Sequence, residues 1–199
     1  KLQEAKRSIE AAGGTCHIYQ ADLADLAAAD RFIDQVLADH GHVDILINNA
    51  GRSIRRAVEH SYDRFHDYER TIQINYFAPL RLSLRVLPGM SARRSGHIIN
   101  VSSMLGRVPF AVIRSAYSGA KHFLNALTAN MRTELQQTHP GIQISLVSPG
   151  VVRTDFGLNA RHGGVDSRHL PDSQSAEEVA AVVVNVIETR RPDVYTRTG

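Results

Sequence analysis

The stretch "VDILINNAG", residues 43–51, passes from a short, almost continuously apolar run straight into Asn, Asn, Ala and Gly. Four other runs have the same strand character: "CHIYQA" from Cys16, "HIINVS" from His97, "IQISLV" from Ile142 and "DVYT" from Asp193. A strand with one wet face alternates apolar and polar residues, whereas a near-continuous apolar strand is covered on both faces. Longer segments with helical spacing separate these runs, so strand and helix alternate along the chain. That order predicts an α/β fold, a doubly wound parallel sheet with helices on both faces. Ligands of such sheets bind beyond the carboxyl ends of the strands, which here read "QADLAD", "NNAG", "SSMLG" and "SPGVVRT". Any one of these is ordinary turn chemistry. Four together, with a candidate acid on the following helix, favour a site.

With 199 residues, 43% of them hydrophobic, the chain suits one domain spanning 1–199. A net charge of +3 from 23 basic and 20 acidic residues is spread without the clustered cations of a nucleic-acid surface, so no nucleic-acid partner is expected. Cys16 is the only cysteine, which rules out an internal disulfide and makes the cytoplasm the default location. No apolar run approaches the length of a membrane span, and "KLQEAKRSIE" lacks the apolar core of a signal peptide. No membrane partner is expected. The ten histidines are scattered without His-Glu-x-x-His spacing, and the expectation is no metal.

From Ser115, "SAYSGAKHFLNALTANMRTEL" reads as a capped helix with Ala120, Leu124, Leu127, Met131 and Leu135 as its apolar stripe. Tyr117 and Lys121 are four apart at one edge of that stripe, where side chains are neighbours. A phenol with a pKa of ~10 is a poor base at neutral pH, and lowering it by ~3 units takes about 4 kcal/mol. An ammonium ~4 Å away at an effective dielectric of ~20 supplies about that much before desolvation is subtracted. The competing reading is an exposed pair on a helix surface. Ser103, at the end of "HIINVSS", could share a substrate oxygen with Tyr117, or could simply cap a turn. Asn75 lies in "TIQINYFAPLRLSL", where Pro79 has no N–H to offer the carbonyl four residues back. That frees the carbonyl for water, or marks a kink made for packing.

Together, "DLAD", "NNAG", the Asn75 helix, "NVSS", "YSGAK" and "SPGVVRT" resemble the short-chain dehydrogenases/reductases over essentially the whole chain. The resemblance implies a Rossmann-type sheet and hydride transfer between NADP or NAD and a carbonyl or secondary alcohol carrying an apolar part. It makes Tyr117 the general acid/base. Lys121 would lower its pKa and bind the nicotinamide ribose, Ser103 would orient the substrate oxygen, and Asn75 would hold a water linking Lys121 to solvent. Cofactor binding would fall to Asp22 at the adenine, to Asn48, Ala50 and Gly51 on the adenosine side, and to Pro149, Gly150, Val152 and Thr154 at the carboxamide. Asp25 is the better helix cap, with Asp22 free for the ligand. The resemblance also implies a homodimer or homotetramer. A non-catalytic cofactor-binding or scaffold protein, or an inert fragment of such an enzyme, is the alternative.

The chain departs from that pattern in two respects. It starts with what reads as the helix after the second strand, so the glycine-rich phosphate loop and the first two strands are missing, and roughly 40 residues or more are expected upstream. The strand at Cys16 would then face a gap in the sheet. Ser103 and Tyr117 are fourteen residues apart, one more than the family pattern. The intervening "MLGRVPFAVIRSA" is expected to border the substrate, with Val108, Phe110, Val112 and Ile113 as an apolar wall. Arg52, Arg55 and Arg56 are read as a solvated loop, with contact to an anionic substrate as the other possibility. The segment "FGLNARHGGVDSRHLPDSQS" after Thr154 is the candidate lid.

Overall fold

The computed structural model describes residues 1–108, 112, 114–160, 166–170 and 172–197. In chain order these form α1 (Leu2–Ala11), α2 (Leu26–His40), β1 (Ile45–Asn48), α3 (Phe65–Ile72), a π-helical turn (Gln73–Phe77), α4 (Ala78–Arg93), β2 (Gly96–Val101), α5 (Ser115–Thr138), β3 (Ile142–Ser148), α6 (Ala176–Thr189) and β4 (Asp193–Tyr195). The strands make one parallel sheet in the order β1-β2-β3-β4. An apolar cluster containing Ile33, Leu82, Val86, Met90, Ile98 and Ile144 packs α2 and α4 on one face. On the other face Val186 of α6 meets Ile99, Val147 and Val194. This is the doubly wound arrangement the strand composition predicts.

Local chemistry sets the element ends. Asp25 caps α2 by accepting from the Ala27 and Ala28 N–H groups, as expected of the better cap, while Asp22 accepts from Ala24 N at 3.0 Å in a turn of its own. Ser175 and Glu178 close a capping box on α6. At the start of α5 the expectation fails: Ser115 lies inside the helix, the cap residue is Arg114, and no side chain caps it. The Ser115 hydroxyl is instead 2.9 Å from the Tyr68 hydroxyl, which draws it to α3 and away from its own helix.

The run at Cys16 also departs from expectation, forming no strand. Side-chain pattern alone cannot make a strand, because the ladder needs a neighbouring backbone, and none of the described residues provides one here. Tyr19 packs instead edge-on against Phe32 of α2 and bonds Asp39 at 2.8 Å. β1 is correspondingly an edge strand. Ile45 and Ile47 on its α6-side face are 40% and 41% exposed, because α6 reaches only as far as the other strands. Helix α1 forms as predicted but buries no residue.

Candidate active site

The site lies beyond the carboxyl ends of β1, β2 and β3, as the sheet class requires. Pro79, lacking an N–H, prevents a regular ladder at Asn75, and the helix widens there into a π-turn with Ala78 N–H bonding the Gln73 carbonyl. The turn carries the Asn75 side chain into the interior, fully buried. Its Nδ2 donates to the Thr71 carbonyl at 2.8 Å and to the Arg52 carbonyl at 2.7 Å, which pins the loop after "NNAG". Its Oδ1 has no partner among the described residues. A Cβ on Gly51 would stand 2.9 Å from that Oδ1 and 3.8 Å from Lys121 Nζ, so only glycine leaves the space beside both groups open.

Tyr117 and Lys121 are not an exposed surface pair. They are 6% and 3% exposed. Lys121 Nζ donates to the Val101 carbonyl at 2.9 Å, at the end of β2, and lies 5.8 Å from the centroid of the Tyr117 ring. Burial lowers the Lys121 pKa from 10.5 to about 8. Burial also pushes Tyr117 up from 10.0 to about 12, against the lowering effects of a hydrogen bond with Ser103 and of the Arg114 charge. This corrects the expectation of a phenol with a lowered pKa: desolvation outweighs the Ser103 hydroxyl and the Arg114 charge, and the Lys121 ammonium is committed to a carbonyl. At neutral pH Tyr117 therefore holds its proton, the state of an acid ready to donate. The Phe156 ring, 5.7 Å away, shields the tyrosine on another side.

Ser103 begins a 3-10 turn at Met104–Gly106 and accepts from Leu105 N at 3.2 Å. Ser103 thus caps a turn, as one sequence reading has it, and its hydroxyl acts to lower the Tyr117 pKa. Three positioning contacts went unread in the sequence. Ser118 donates to the Leu105 carbonyl at 2.6 Å, Asn125 donates to the Gly106 carbonyl at 2.8 Å, and Ser102 donates to the Asn125 Oδ1. They fasten α5 to the Ser103 turn and so fix the Ser103–Tyr117 geometry. Ser118 and Asn125 are seven residues apart on the helix, a same-face spacing that could have revealed them.

The cofactor candidates divide. The Asn48 side chain turns inward, its Nδ2 donating to the Asn100 Oδ1 at 2.8 Å, and Asn100 donates in turn to the Thr128 hydroxyl at 2.9 Å. This chain links β1, β2 and α5. Asp22 is exposed, as are Ala50 and Gly150. The Pro149 carbonyl accepts from Met104 N at 2.9 Å, tying "SPG" to the Ser103 turn. Val152 bridges to Gln174, while the Thr154 carbonyl accepts from the buried Ser167 hydroxyl at 3.0 Å. Of the expected lid, 161–165 and 171 lie outside the described residues.

In the substrate-side loop Phe110 and Ile113 lie outside the described residues, and Val112 is 86% exposed. The arginines do not form a solvated loop throughout: Arg52 is exposed, but Arg56 pairs with buried Asp67 at 3.2 Å and Arg55 is itself buried. No cluster of metal-ligating side chains occurs among the described residues, nor a helix long and apolar enough to cross a membrane.

The family model described as short chain dehydrogenase matches residues 1–163. A fatty acyl-CoA reductase from Acinetobacter baylyi is 41% identical over 198 residues, which are 100% of this chain and 64% of that protein. An uncharacterized oxidoreductase of Mycobacterium tuberculosis is 47% identical over 148 residues, 74% of this chain and 42% of its own length. The chain thus spans only part of the curated relatives it matches. Among solved structures, a short-chain dehydrogenase from Sphingobium yanoikuyae in complex with NADPH superposes with a TM-score of 0.84 at 26% identity, covering 98% of this chain and 73% of that one. A metagenomic short-chain oxidoreductase in complex with NADP gives 0.79 at 29% identity, covering 100% and 80%.

Proposed function

The chain belongs to the short-chain dehydrogenase family, and on that premise we propose that it interconverts a carbonyl compound and the corresponding alcohol with NADP or NAD, using Tyr117 as general acid/base. The observation that carries this reading is the buried Tyr117–Lys121 pair, with the Ser103 hydroxyl acting on the phenol. The residues present suit a dinucleotide. Gly51 leaves room beside an orphaned Asn75 oxygen and the Lys121 ammonium, and Gly150 has open space where a Cβ would stand.

In that reading Lys121 holds the nicotinamide ribose, Pro149, Gly150, Val152 and Thr154 hold the carboxamide, and Asp22, Ala50 and Gly51 line the adenosine half. When bound, the nicotinamide supplies or accepts the hydride. Ser103 donates a hydrogen bond to the substrate oxygen, and Tyr117 delivers the proton there in the reduction direction. A phenol held at about 12 keeps that proton until the substrate oxygen gains negative charge. Lys121, lowered to about 8, can release and recover a proton near neutrality and so refill the tyrosine. The unpaired Asn75 Oδ1 is an acceptor for a relay water. A homodimer or homotetramer is supported by exposed Phe77 of the π-turn, Leu84 of α4 and Phe123 of α5. A cytoplasmic location rests on the single cysteine.

The similarity to a fatty acyl-CoA reductase favours a second substrate, an acyl-CoA thioester. Transfer of one hydride to the acyl carbon would then break the C–S bond and, with one proton taken up by the leaving thiolate, yield an aldehyde and the free thiol of CoA. The test is fluorescence titration of the protein with NADPH and NADH, followed by ketones, aldehydes and acyl-CoA thioesters, with a thiol reagent recording CoA release. Tyr117→Phe should bind cofactor as wild type does and lose turnover. Substantial residual turnover would remove Tyr117 as the acid, and cofactor binding without turnover on any substrate would favour a non-catalytic protein.

A further inference from the structure

Arg55 is 6% exposed, its Nε has no hydrogen-bond partner, and no ion pair reaches it among the described residues. A buried charge without a partner is costly, and folds avoid it unless a ligand completes the site. Asp67 pairs through Oδ2 with Arg56 at 3.2 Å and with Arg64 at 3.6 Å, and no ion pair among the described residues joins it to Arg55. Ile54, in a β-bridge, and Arg56 line a small cavity against Asp67 and Ser115. The cavity sets the start of α5 against this loop, and the charge of Arg114, the residue before Ser115, reaches Arg55. The loop cannot drift, since the Arg52 carbonyl accepts from Asn75.

We propose that Arg55 and Arg114 form an anion-binding subsite beside Tyr117, which receives a carboxylate or phosphate carried by the substrate. The subsite deepens the redox reading above and depends on it only for the word substrate. Arg114 is the common element, three residues before Tyr117 at the start of α5. Its positive charge acts on both: burial and then the Arg114 charge lower the Arg55 pKa, while at Tyr117 the same charge opposes the rise that burial causes. Two guanidinium groups that repel each other, one of them desolvated, are stabilised by an oxyanion between them. The first N–H groups of α5 lack carbonyl partners within the helix and add to the positive potential there. An anionic substrate group anchored here would hold its carbonyl near Ser103 and Tyr117.

The experiment is thermal unfolding of the intact protein, saturated with NADP so that the cofactor's own phosphate sites are filled, with inorganic phosphate added stepwise. Wild type should gain stability with phosphate, and Arg55→Met should bind phosphate at least about tenfold more weakly. With no anion added, Arg55→Met should unfold at the same or a higher temperature, because it removes an uncompensated buried charge. If that variant does not fold, Arg114→Met reads the same loss from the other side. Octanoate and CoA, added in place of phosphate, separate a carboxylate source from a phosphate source by which of them stabilises wild type. No phosphate effect on wild type, or an equal effect on the variants, overturns the subsite whether or not any carbonyl is turned over. Failure of the redox reading would appear separately, as absent turnover in wild type with phosphate stabilisation intact.

Discussion

Replacing Lys121 with Met isolates the cost of burying an ammonium beside the phenol. Burial lowers the folded-state pKa of Lys121 from 10.5 to about 8, equivalent to about 3 kcal/mol against the charged form. Between those two values the unfolded chain still holds the lysine proton and the folded chain has released it, so stability rises with pH across that window. Below about pH 8 the ammonium is charged in both states, and the fold carries the whole cost. Tyr117 acts in the opposite sense. Its folded pKa is raised from 10.0 to about 12, so its contribution is full below the lower value and is lost as pH climbs through the upper one. Lys121→Met should therefore be more stable than wild type at pH 7 by up to about 2 kcal/mol, after about 1 kcal/mol is subtracted for the bond to the Val101 carbonyl. That advantage should shrink steadily above about pH 8. The assay is urea unfolding without cofactor across this range, plotted as the difference between the two proteins so that the other titrating groups cancel. A flat difference, or a variant less stable than wild type at pH 7, would refute the reasoning by showing that the fold already compensates the ammonium.

Gly51→Ala sets a methyl 2.9 Å from the Asn75 Oδ1, and the resulting overpacking of about 1–3 kcal/mol should appear as weaker NADPH binding in a fluorescence titration. Asn100→Ala removes the shortest partner of the Asn48 amide, leaving it the longer contacts to Ser83 Oγ at 3.3 Å and the Pro79 carbonyl at 3.4 Å, and takes from the Thr128 hydroxyl its donor, so a loss of about 1 kcal/mol is expected in urea unfolding. Asn125→Ala releases the Gly106 carbonyl and the Ser102 hydroxyl, and turnover should fall further than stability because the Ser103 turn is no longer fastened to α5. Equal loss of both would make Asn125 a purely structural residue.

The residues proposed to carry the chemistry were legible in order along the chain. Apolar runs ending in "NNAG", "NVSS" and "SPG" mark strands and their exits, because side-chain period and turn chemistry are local properties. Tyr117 and Lys121 could be paired from their spacing, and Pro79 marks an interrupted helix at Asn75, for the same reason. Properties that depend on what approaches from elsewhere were decided only by tertiary structure. The run at Cys16 has strand residues but no ladder partner, and so it packs on α2. Arg55 reads as a solvated loop residue until the fold closes over it. The direction of the Tyr117 shift likewise follows from burial, a sum over the whole surroundings in which desolvation outweighs one nearby cation. Asn48 shows the division at a single residue: its place at a strand end is written in the sequence, while its inward turn depends on Asn100, 52 residues away along the chain and one strand away in space.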